Sequence, residues 1–262
     1  MNEKKILMTV RDLCLTYDAS LGGSETEALS DVNLDIYEGD FICVLGPSGC
    51  GKTSLLNIMA GLVSASSGSV LMRGKHIRGV DRERAVVFQT PTLYPWISVK
   101  KNIAFGPDIR QVPESESAEK VEHYLKLVGL EDFADSKPYE LSGGMRQRTA
   151  LARALVNDPS IILLDEPFGA LDAFTRNSMQ DLIRNIWKET SPTILLITLD
   201  VDAALMLGNR IVTMSQRPGR IIKEFETNFS DRVFDGDEDV RYTQEYINMR
   251  KELLTLVGYG KA

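Results

Sequence analysis

Hydrophobic positions along the chain follow two different periods. Residues 10–17 and 32–36 alternate apolar and polar side chains, a pattern that predicts two antiparallel strands. Continuous apolar runs appear later, and such runs are typical of parallel strands buried on both faces. They are residues 41–45, 85–88, 161–164, 193–197 and 210–214. Because helical segments separate these runs, the pattern predicts an α/β core.

A helical pattern replaces the strand pattern between residues 91 and 159. Val121, Tyr124, Leu125 and Val128 repeat at helical spacing, and Gly129 is expected to end that helix. We therefore predict a helical subdomain inserted into the α/β core.

The chain after Phe229 differs from the core. Residues 231–239 form an acidic segment, and apolar positions at helical spacing follow it. These positions are Tyr246, Ile247, Met249, Leu253, Leu254 and Val257. We predict an amphipathic helix in this tail, and the pattern indicates no role for it.

Composition narrows the possible partners and cofactors. The net charge of the 262 residues is −7, so the basic surface typical of a nucleic-acid-binding protein is not expected. The three cysteines form no CxxC pair and the chain has two histidines, which indicates neither a disulfide framework nor a metal cluster. The sequence contains no run of about 18 apolar residues, so we expect a cytoplasmic protein that can dock on a membrane protein.

The first apolar run leads into Gly46-Pro-Ser-Gly-Cys-Gly-Lys-Thr53, which matches the phosphate-binding pattern G-x-x-x-x-G-K-[ST]. Its glycines let successive backbone N–H groups turn toward phosphate, and the positive end of a helix expected at 54–60 faces the same anion. Lys52 is expected to reach the β- and γ-phosphates of ATP, and Thr53 to ligate Mg²⁺.

The sequence thus predicts an ATP-binding loop of Gly46, Pro47, Ser48, Gly49, Cys50, Gly51, Lys52, Thr53 and Ser54. We expect alkylating reagents to reach Cys50 only when nucleotide is absent. A chance glycine-rich turn is the alternative, which the strand before it and the helix after it disfavour.

Two adjacent carboxylates, Asp165 and Glu166, end the apolar run at 161–164. In a chain that also has a phosphate-binding loop, Asp165 would hold the water shell of Mg²⁺ and Glu166 would polarise the attacking water. Acids at a solvated strand end are the alternative, so this interpretation depends on the loop.

A second anion-binding pattern lies in the helical region. In Leu141-Ser-Gly-Gly-Met145, Ser142 is a natural N-cap, and Gly143 and Gly144 expose backbone N–H groups at the start of a helix expected to run to about Val156. A single chain rarely needs two such sites for one phosphate. We therefore predict two chains arranged head to tail, each closing the ATP site of the other.

The ordered motifs resemble those of the nucleotide-binding subunits of ATP-binding-cassette (ABC) transporters over most of the chain. The resemblance implies that Tyr17 stacks on adenine, that Gln89 senses the γ-phosphate and Mg²⁺, and that Asp172 lies at the dimer seam. Taken singly, Tyr17 is alternatively a strand aromatic and Gln89 a polar residue at a strand end.

The complete set of implied roles has three parts. The catalytic residues are Glu166, Gln89 and Lys52, and the metal ligands are Thr53, Gln89 and Asp165. The nucleotide contacts outside the loop are Tyr17, Ser142, Gly143, Gly144 and Asp172.

The resemblance also implies the fold: an α/β P-loop ATPase core with an N-terminal antiparallel β subdomain and an inserted α-helical signature subdomain. One ABC ATPase domain is expected over residues 1–262. Residues 1–90 and 160–228 would form the nucleotide-binding core, 91–159 the helical subdomain, and 229–262 the helical tail.

A closer resemblance, to importer ATPases for taurine, aliphatic sulfonates and nitrate, comes from residues 46–51, 93–96, 165–176 and 217–220, and the tail looks closest to the taurine branch. It implies a subunit, peripheral on the cytoplasmic face of the membrane, that couples Mg-ATP hydrolysis in a dimer to uptake of a small anion such as taurine, a sulfonate or nitrate. The implied partners are a second ATP-binding subunit, permease subunits and, indirectly, an extracytoplasmic solute-binding protein. Nucleic acid is not among them.

One position departs from the family pattern. Where the family has a histidine followed by an aspartate, this chain has Leu199 and Asp200, and its histidines, His76 and His123, lie elsewhere. The family histidine donates a hydrogen bond to the γ-phosphate, which leucine cannot do. We expect ATP binding to persist and hydrolysis to fall about 10²–10³-fold. An introduced substitution, a naturally slow ATPase and a sequence error remain as explanations.

Two alternative functions remain. A soluble cassette protein without a membrane partner is disfavoured by the acidic composition and the compact helical subdomain. Leu199 keeps open the second alternative, a regulatory subunit that binds ATP with little turnover.

Residues 91–97 hold apolar and aromatic side chains just after Gln89, and we predict that they contact the permease. The alternative is that Tyr94 and Trp96 pack the core of the helical subdomain itself.

Overall fold

The computed structural model describes residues 4–18 and 25–258, and within them it contains ten strands and eight α-helices. The strands are β1 (Ile6–Tyr17), β2 (Thr26–Tyr37), β3 (Phe41–Leu45), β4 (Ser67–Met72), β5 (Lys75–His76), β6 (Arg84–Val87), β7 (Ile161–Asp165), β8 (Thr193–Thr198), β9 (Arg210–Met214) and β10 (Ile221–Glu226). The helices are α1 (Lys52–Ala60), α2 (Val99–Ile109), α3 (Glu114–Leu127), α4 (Gly143–Leu155), α5 (Ala173–Thr190), α6 (Val201–Leu207), α7 (Phe229–Phe234) and α8 (Gln244–Leu256).

The chain divides into two compact units. The first takes its described residues from 1–81 and 184–262, and the second comprises residues 82–183. None of the helices among the described residues is long and apolar enough to cross a membrane.

An antiparallel sheet in the first unit has the strand order β2-β1-β4-β5. The period-two pattern correctly predicts β1 and β2, which pair with Val10 opposite Leu34 and Leu13 opposite Val32. The pattern does not predict β4, because its first residues, Ser67 and Gly68, are polar or lack a side chain and do not show the alternation.

Parallel strands β8, β3 and β9 form the other layer of the first unit, and β10 adds to β9 in antiparallel orientation. Every residue of β3, β8 and β9 is buried, which explains why each strand reads as a continuous apolar run. β3 is the middle strand of the three, so the segment that follows Leu45 lies between the ends of its two neighbours.

A buried ion pair joins these strands to the turn between β2 and β3. Arg210 donates hydrogen bonds to Asp40 Oδ2 at 2.6 Å, to the Asp35 carbonyl at 2.8 Å and to Glu224 Oε2 at 2.7 Å. Asp40 also accepts from the Tyr37 N–H at 3.0 Å. Since both charged groups are buried, each depends on the other for compensation.

The second unit combines a parallel strand pair with a helical core. β6 and β7 pair from Arg84 opposite Ile161 to Val87 opposite Leu164. Gly129 follows the end of α3 with a φ of +65°, as expected of a helix-terminating glycine. The helices pack around Val99, Ile103, Val121, Leu125, Val128, Leu130, Leu141, Ala152 and Val156. The predicted helical subdomain is therefore present, whereas its exact boundaries stay a prediction.

The predicted amphipathic helix of the tail is α8. Its inner face buries Tyr246 and Leu253, and Val257 just beyond its end is also buried. Ile247, assigned to the apolar face from the sequence, is 46% exposed. A helix residue adjacent in sequence to an inward-facing one is rotated by about 100°, so Tyr246 and Ile247 cannot both point fully inward.

Replacing Asp40 with alanine is expected to lower the free energy of unfolding by about 3 kcal/mol, because the buried Arg210 guanidinium then loses a carboxylate. Urea denaturation measures the change. The control is Lys5→Ala, which removes an exposed pair with Glu38 (2.9 Å) and should cost less than about 1 kcal/mol. Equal losses in the two variants would contradict this assignment.

Candidate functional site

The predicted phosphate-binding loop, residues 46–53, joins the end of β3 to the start of α1. The side chain of Lys52 is buried and folds back over the loop, where its Nζ donates to the carbonyl oxygens of Gly46 at 2.8 Å and Pro47 at 3.0 Å. Residues 48–49 at the tip of the loop are exposed. The backbone thus forms a tight ring around one ammonium group and presents its tip outward.

Close packing explains why glycine is required in and beside this loop. Gly51 has a φ of +100°, and a Cβ there would lie 2.7 Å from the Ala28 carbonyl oxygen. A Cβ on Gly46 would lie 2.8 Å from Cys50 Sγ. Gly219, far away in sequence, would place a Cβ 2.0 Å from the Cys50 carbonyl oxygen. The backbone at Gly219 therefore packs directly against the loop.

Cys50 is buried, with 1% of its surface exposed, and its Sγ lies 3.9 Å from Lys52 Nζ. Burial raises the pKa of the Cys50 thiol, and the nearby Lys52 charge opposes this only in part. The expectation of a reagent-accessible Cys50 is therefore wrong, because its side chain points into the protein beneath the loop.

Tyr17, the predicted adenine-stacking residue, is near the same helix. Its hydroxyl and that of Ser54 form a hydrogen bond of 3.0 Å, and the side chain is 43% exposed. Its position beside Ser54, the third residue of α1, and its partly exposed ring suit stacking on a base, and this role stays a prediction.

Strand register places Leu199 next to the loop. Leu45 pairs with Thr198 in the parallel ladder of β3 and β8, so the residues that follow each strand emerge at one edge of the sheet. Asp200 N–H donates to Thr198 Oγ1 at 3.0 Å, and Asp200 Oδ1 accepts from Ala203 N–H at 3.1 Å as the N-cap of α6. These bonds fix the turn of residues 198–200 without using the half-buried Leu199 side chain.

The second unit has a similar edge. Val87 pairs with Leu164 in β6 and β7, so Gln89 and the two predicted acids lie at the carboxyl ends of adjacent strands. Asp165 is buried, and Glu166 has a φ of +44°, in the left-handed region. A non-glycine residue held there stores strain, a feature that is concentrated at functional sites.

Two contacts define the position of Gln89. The side chain of Gln89 lies against Gly169, and a Cβ added to that glycine would lie 2.9 Å from Gln89 Nε2. The buried Gln147 of α4 donates from Nε2 to the carbonyl of Phe88 at 3.1 Å. Helix α4 therefore holds the backbone immediately before Gln89.

Helix α4 begins at the second predicted anion-binding motif. Ser142 is its N-cap and accepts from the Met145 N–H at 3.3 Å. Gly144 packs against Thr175, where a Cβ would lie 2.3 Å from Thr175 Cγ2. Asp172 accepts from the Thr175 N–H at 3.0 Å, and the hydrogen bonds with Thr175 lower the pKa of Asp172. The motif and Asp172 therefore share one surface.

A groove of about 440 Å³ in the second unit is lined by residues of α2, α4 and the segment after Gln89, among them Tyr94, Phe105 and Arg153. Arg153 donates to the Thr92 carbonyl at 2.8 Å, and its guanidinium lies 5.5 Å from the centre of the Tyr94 ring. Tyr94 also packs on Phe105, whereas Trp96 is 69% exposed. The two aromatic residues therefore differ in burial: Tyr94 is half-buried between Phe105 and Arg153, whereas Trp96 packs on Tyr94, at a ring-centre distance of 5.6 Å, and is mostly exposed.

Sequence reasoning missed three residues that shape this unit. They are Gln147, Arg153 and Asn102, and the fully buried Asn102 donates to the carbonyls of Tyr94, Ile97 and Ser98. Gln147 lies in a segment that the signature motif does mark, but no spacing marks Asn102. A polar residue on a mostly apolar helix face was the available signal.

The predicted site residues thus form three groups. In the first unit, Tyr17 and the turn of residues 198–200 lie beside the loop. In the second unit, Gln89 lies at the strand end next to that of Asp165 and Glu166, and residues 142–144 lie near Asp172 through Thr175. Their roles toward a nucleotide stay predictions.

The chain is similar to known proteins in sequence. Residues 29–169 match the family model described as ABC transporter. The chain is 47% identical over 251 residues to the taurine import ATP-binding protein TauB of Roseobacter denitrificans, covering 95% of this chain and 93% of that one. It is 43% identical over 241 residues to TauB of Escherichia coli, covering 91% and 94%.

Solved structures show the same fold. A dimeric ATP-binding cassette in a post-hydrolysis state, bound to ADP and Pi, matches with a TM-score of 0.73 and 32% identity over 84% of this chain and 98% of that one. The predicted fold class, an α/β P-loop ATPase core with an antiparallel β subdomain, is thereby confirmed.

We predict that N-ethylmaleimide labels Cys50 more slowly than the half-buried Cys14, since Cys50 is buried and its pKa is raised. Because the pKa of Cys50 is raised, its thiolate stays the minor form between pH 7 and 9. The labelling rate of Cys50 should therefore rise by up to about tenfold per pH unit. Peptide mass mapping over time measures both sites. The buried Cys43 is the control and should react only on unfolding. Labelling of Cys50 before Cys14 would contradict the prediction.

Proposed function

Because the chain belongs to the family of ABC transporter ATP-binding proteins, we propose that it is the motor subunit of an importer, which binds and hydrolyses Mg-ATP to drive a membrane permease. The observation that carries this proposal is the loop of residues 46–53, already closed around Lys52 at the end of a buried strand. The importer class follows from relatives named as taurine import ATP-binding proteins.

In this proposal the loop receives the phosphates of ATP. Lys52 is already held at the centre of the loop by two carbonyl oxygens, so its charge needs little rearrangement to meet the β- and γ-phosphates. The N-terminus of α1 directs its partial positive charge to the same place, and glycine at the N-cap position offers no side chain that would compete with phosphate. Tyr17 adds an exposed ring for the base.

Oxygen ligands for Mg²⁺ are available in suitable chemistry. Thr53 offers a hydroxyl, Asp165 a carboxylate at the end of β7, and Gln89 an amide oxygen at the adjacent strand end. When bound, the ion neutralises charge on the phosphates. Glu166 orients and polarises the attacking water, and its strained backbone fixes the direction of its side chain.

A second copy of the chain supplies the remaining contacts. Ser142 and the following N–H groups form an anion-binding helix start, and Asp172 lies on the same surface through Thr175. A similar solved cassette is dimeric, which supports a head-to-tail pair in which this surface meets the nucleotide of the partner. The expected solute is a small anion such as taurine, a sulfonate or nitrate, delivered by an external binding protein and selected outside this chain.

Leu199 sets the rate of this motor. Its strand register beside the loop is where a side chain could meet the γ-phosphate, and leucine offers no hydrogen bond. The same observation favours one second candidate, a subunit that binds ATP with little turnover and holds the closed dimer.

The variant Leu199→His should raise kcat for ATP hydrolysis by about 10²–10³-fold, because it adds a donor where charge develops on the γ-phosphate. The affinity for ATP should change little, since Lys52 and the loop are unaltered. Single-turnover hydrolysis and calorimetric ATP binding measure the two quantities.

Lys52→Met serves as the control and should abolish ATP binding whether residue 199 is leucine or histidine. Equal kcat values for the parent protein and Leu199→His would contradict the role of position 199. Undiminished ATP binding by Lys52→Met would contradict the proposed function itself.

We propose that the permease docks at the groove beside residues 91–97. Helix α4 holds this segment through Arg153 at Thr92 and holds the chain just before it through Gln147 at Phe88, so movement of the segment moves the helix that begins at Ser142. The ring centre of Trp96 lies 5.6 Å from that of the groove-lining Tyr94, and Trp96 is mostly exposed, as aromatic anchors of protein interfaces often are.

Trp96→Ala should weaken co-purification with the permease by about tenfold or more while leaving ATP affinity within about twofold of the parent value. Phe234→Ala is the control, because Phe234 is also exposed but lies in the tail. Retention of the permease by the Trp96 variant at the level of the Phe234 variant would argue against this docking surface.

A further inference from the structure

The tail helix α8 holds helix α6 through a single carboxylate. Asp202, the second residue of α6, accepts hydrogen bonds from Tyr246 Oη at 2.7 Å and from Arg250 Nε at 2.8 Å and Nη2 at 3.0 Å. All three donors come from α8, and together they engage both oxygens of the carboxylate.

This cluster is electrostatically strong for a partly exposed site. Burial alone would raise the pKa of Asp202, but the hydrogen bonds from Arg250 and Tyr246 and the charges of Arg250 and Arg241 outweigh it and lower the pKa. Because Arg250 donates from two nitrogens to the two oxygens of Asp202, the pair fixes the orientation of the carboxylate as well as its distance from the guanidinium. Asp202 therefore stays ionised and tied to α8 at neutral pH.

Packing holds the two donor residues, Tyr246 and Arg250, in place on α8. Tyr246 is 2% exposed, and its ring meets the buried Phe229 edge-on at a centroid distance of 5.2 Å. Leu253, one turn past Arg250, is fully buried. The tail thus offers Asp202 a rigid partner.

The position of Asp202 gives the contact its consequence. Helix α6 spans Val201–Leu207, and a helix of that length depends on external contacts because isolated short helices are unstable. Its N-cap is Asp200, which completes the turn of residues 198–200 next to the phosphate-binding loop. The hydrogen bond to Asp202 and the charge of Asp202 are the main causes of the raised pKa of Arg250, so the two groups stabilise each other's charged forms.

We propose that α8 positions the turn of residues 198–200 for ATP hydrolysis, with Tyr246 and Arg250 as positioning residues that act through Asp202. Holding the first turn of α6 fixes where residue 199 and the backbone around it face the phosphate-binding loop. The inference rests on the proposed function, because the turn affects turnover only if ATP lies in that loop. It assigns the tail a role in rate rather than in nucleotide binding.

A second contact of the same helix separates positioning from simple attachment. Glu252 of α8 pairs with Lys223 of β10 at 2.6 Å, with both side chains about half exposed. This pair fastens the tail to the sheet without touching α6. Breaking it therefore loosens the tail while leaving Asp202 held.

The test uses the double variant Tyr246→Phe/Arg250→Met in the full chain, with the parent and the Leu199→His protein as the two backgrounds. We expect kcat to fall about fivefold or more in single-turnover hydrolysis, while KM for ATP changes less than about twofold. Amides 200–203 should exchange with deuterium about tenfold faster or more, because the first turn of α6 then opens more often. Arg250→Lys, which retains the charge but not the fork, should give intermediate values.

Glu252→Gln is the matched control and should leave kcat and the exchange at 200–203 at the parent values. The inference is overturned if the double variant keeps the parent kcat in both backgrounds, or if Glu252→Gln lowers kcat equally. Failure of the proposed function looks different, since neither background would then bind or hydrolyse ATP. The exchange measurement still decides whether α8 holds the turn in that case.

Discussion

The contact on which the rest of the site depends is that of the Lys52 ammonium with the carbonyl oxygens of Gly46 and Pro47. A buried cation inside a ring of backbone dictates the loop conformation, and that conformation excludes side chains at Gly46, Gly51 and Gly219. The ring sits on the middle strand of a parallel set, so the ends of β8 and β9 must lie beside it. The turn that carries Leu199 is placed by this constraint.

In the second unit, helix α4 is the element that organises the predicted site residues. One end carries Ser142, and its length carries Gln147 and Arg153, which hold the backbone at Phe88 and Thr92. Helix α4 therefore carries the predicted signature motif at its start and holds the backbone on both sides of the predicted sensor residue Gln89. In the proposed function, this helix would couple a permease docked beside residues 91–97 to the signature motif without any contact between the two.

The proposed role of Leu199 separates the binding of ATP from its hydrolysis in a chain whose other predicted motifs are complete. The hydrogen bonds of Thr198 and Asp200 shape the turn without the residue 199 side chain, so the backbone can present histidine or leucine equally. The anchoring of α6 by Asp202 adds a second determinant of the same turn. Under both proposals, the rate of ATP hydrolysis depends on the residue 199 side chain and on the helix that follows it.

The sequence by itself predicted strands β1, β2, β3, β6, β7, β8 and β9, because hydrophobic periodicity is a local property of the chain, and its glycine-rich motifs carried the resemblance to the family that the comparisons confirm. It could not show that Cys50 is buried, that Gly219 packs against the loop, or that Tyr94 and Trp96 differ in exposure. It also could not show that Tyr246 and Arg250 meet Asp202, more than forty positions away. Only the tertiary structure decides such contacts, since they arise where separate elements pack and leave no periodic signal in either segment.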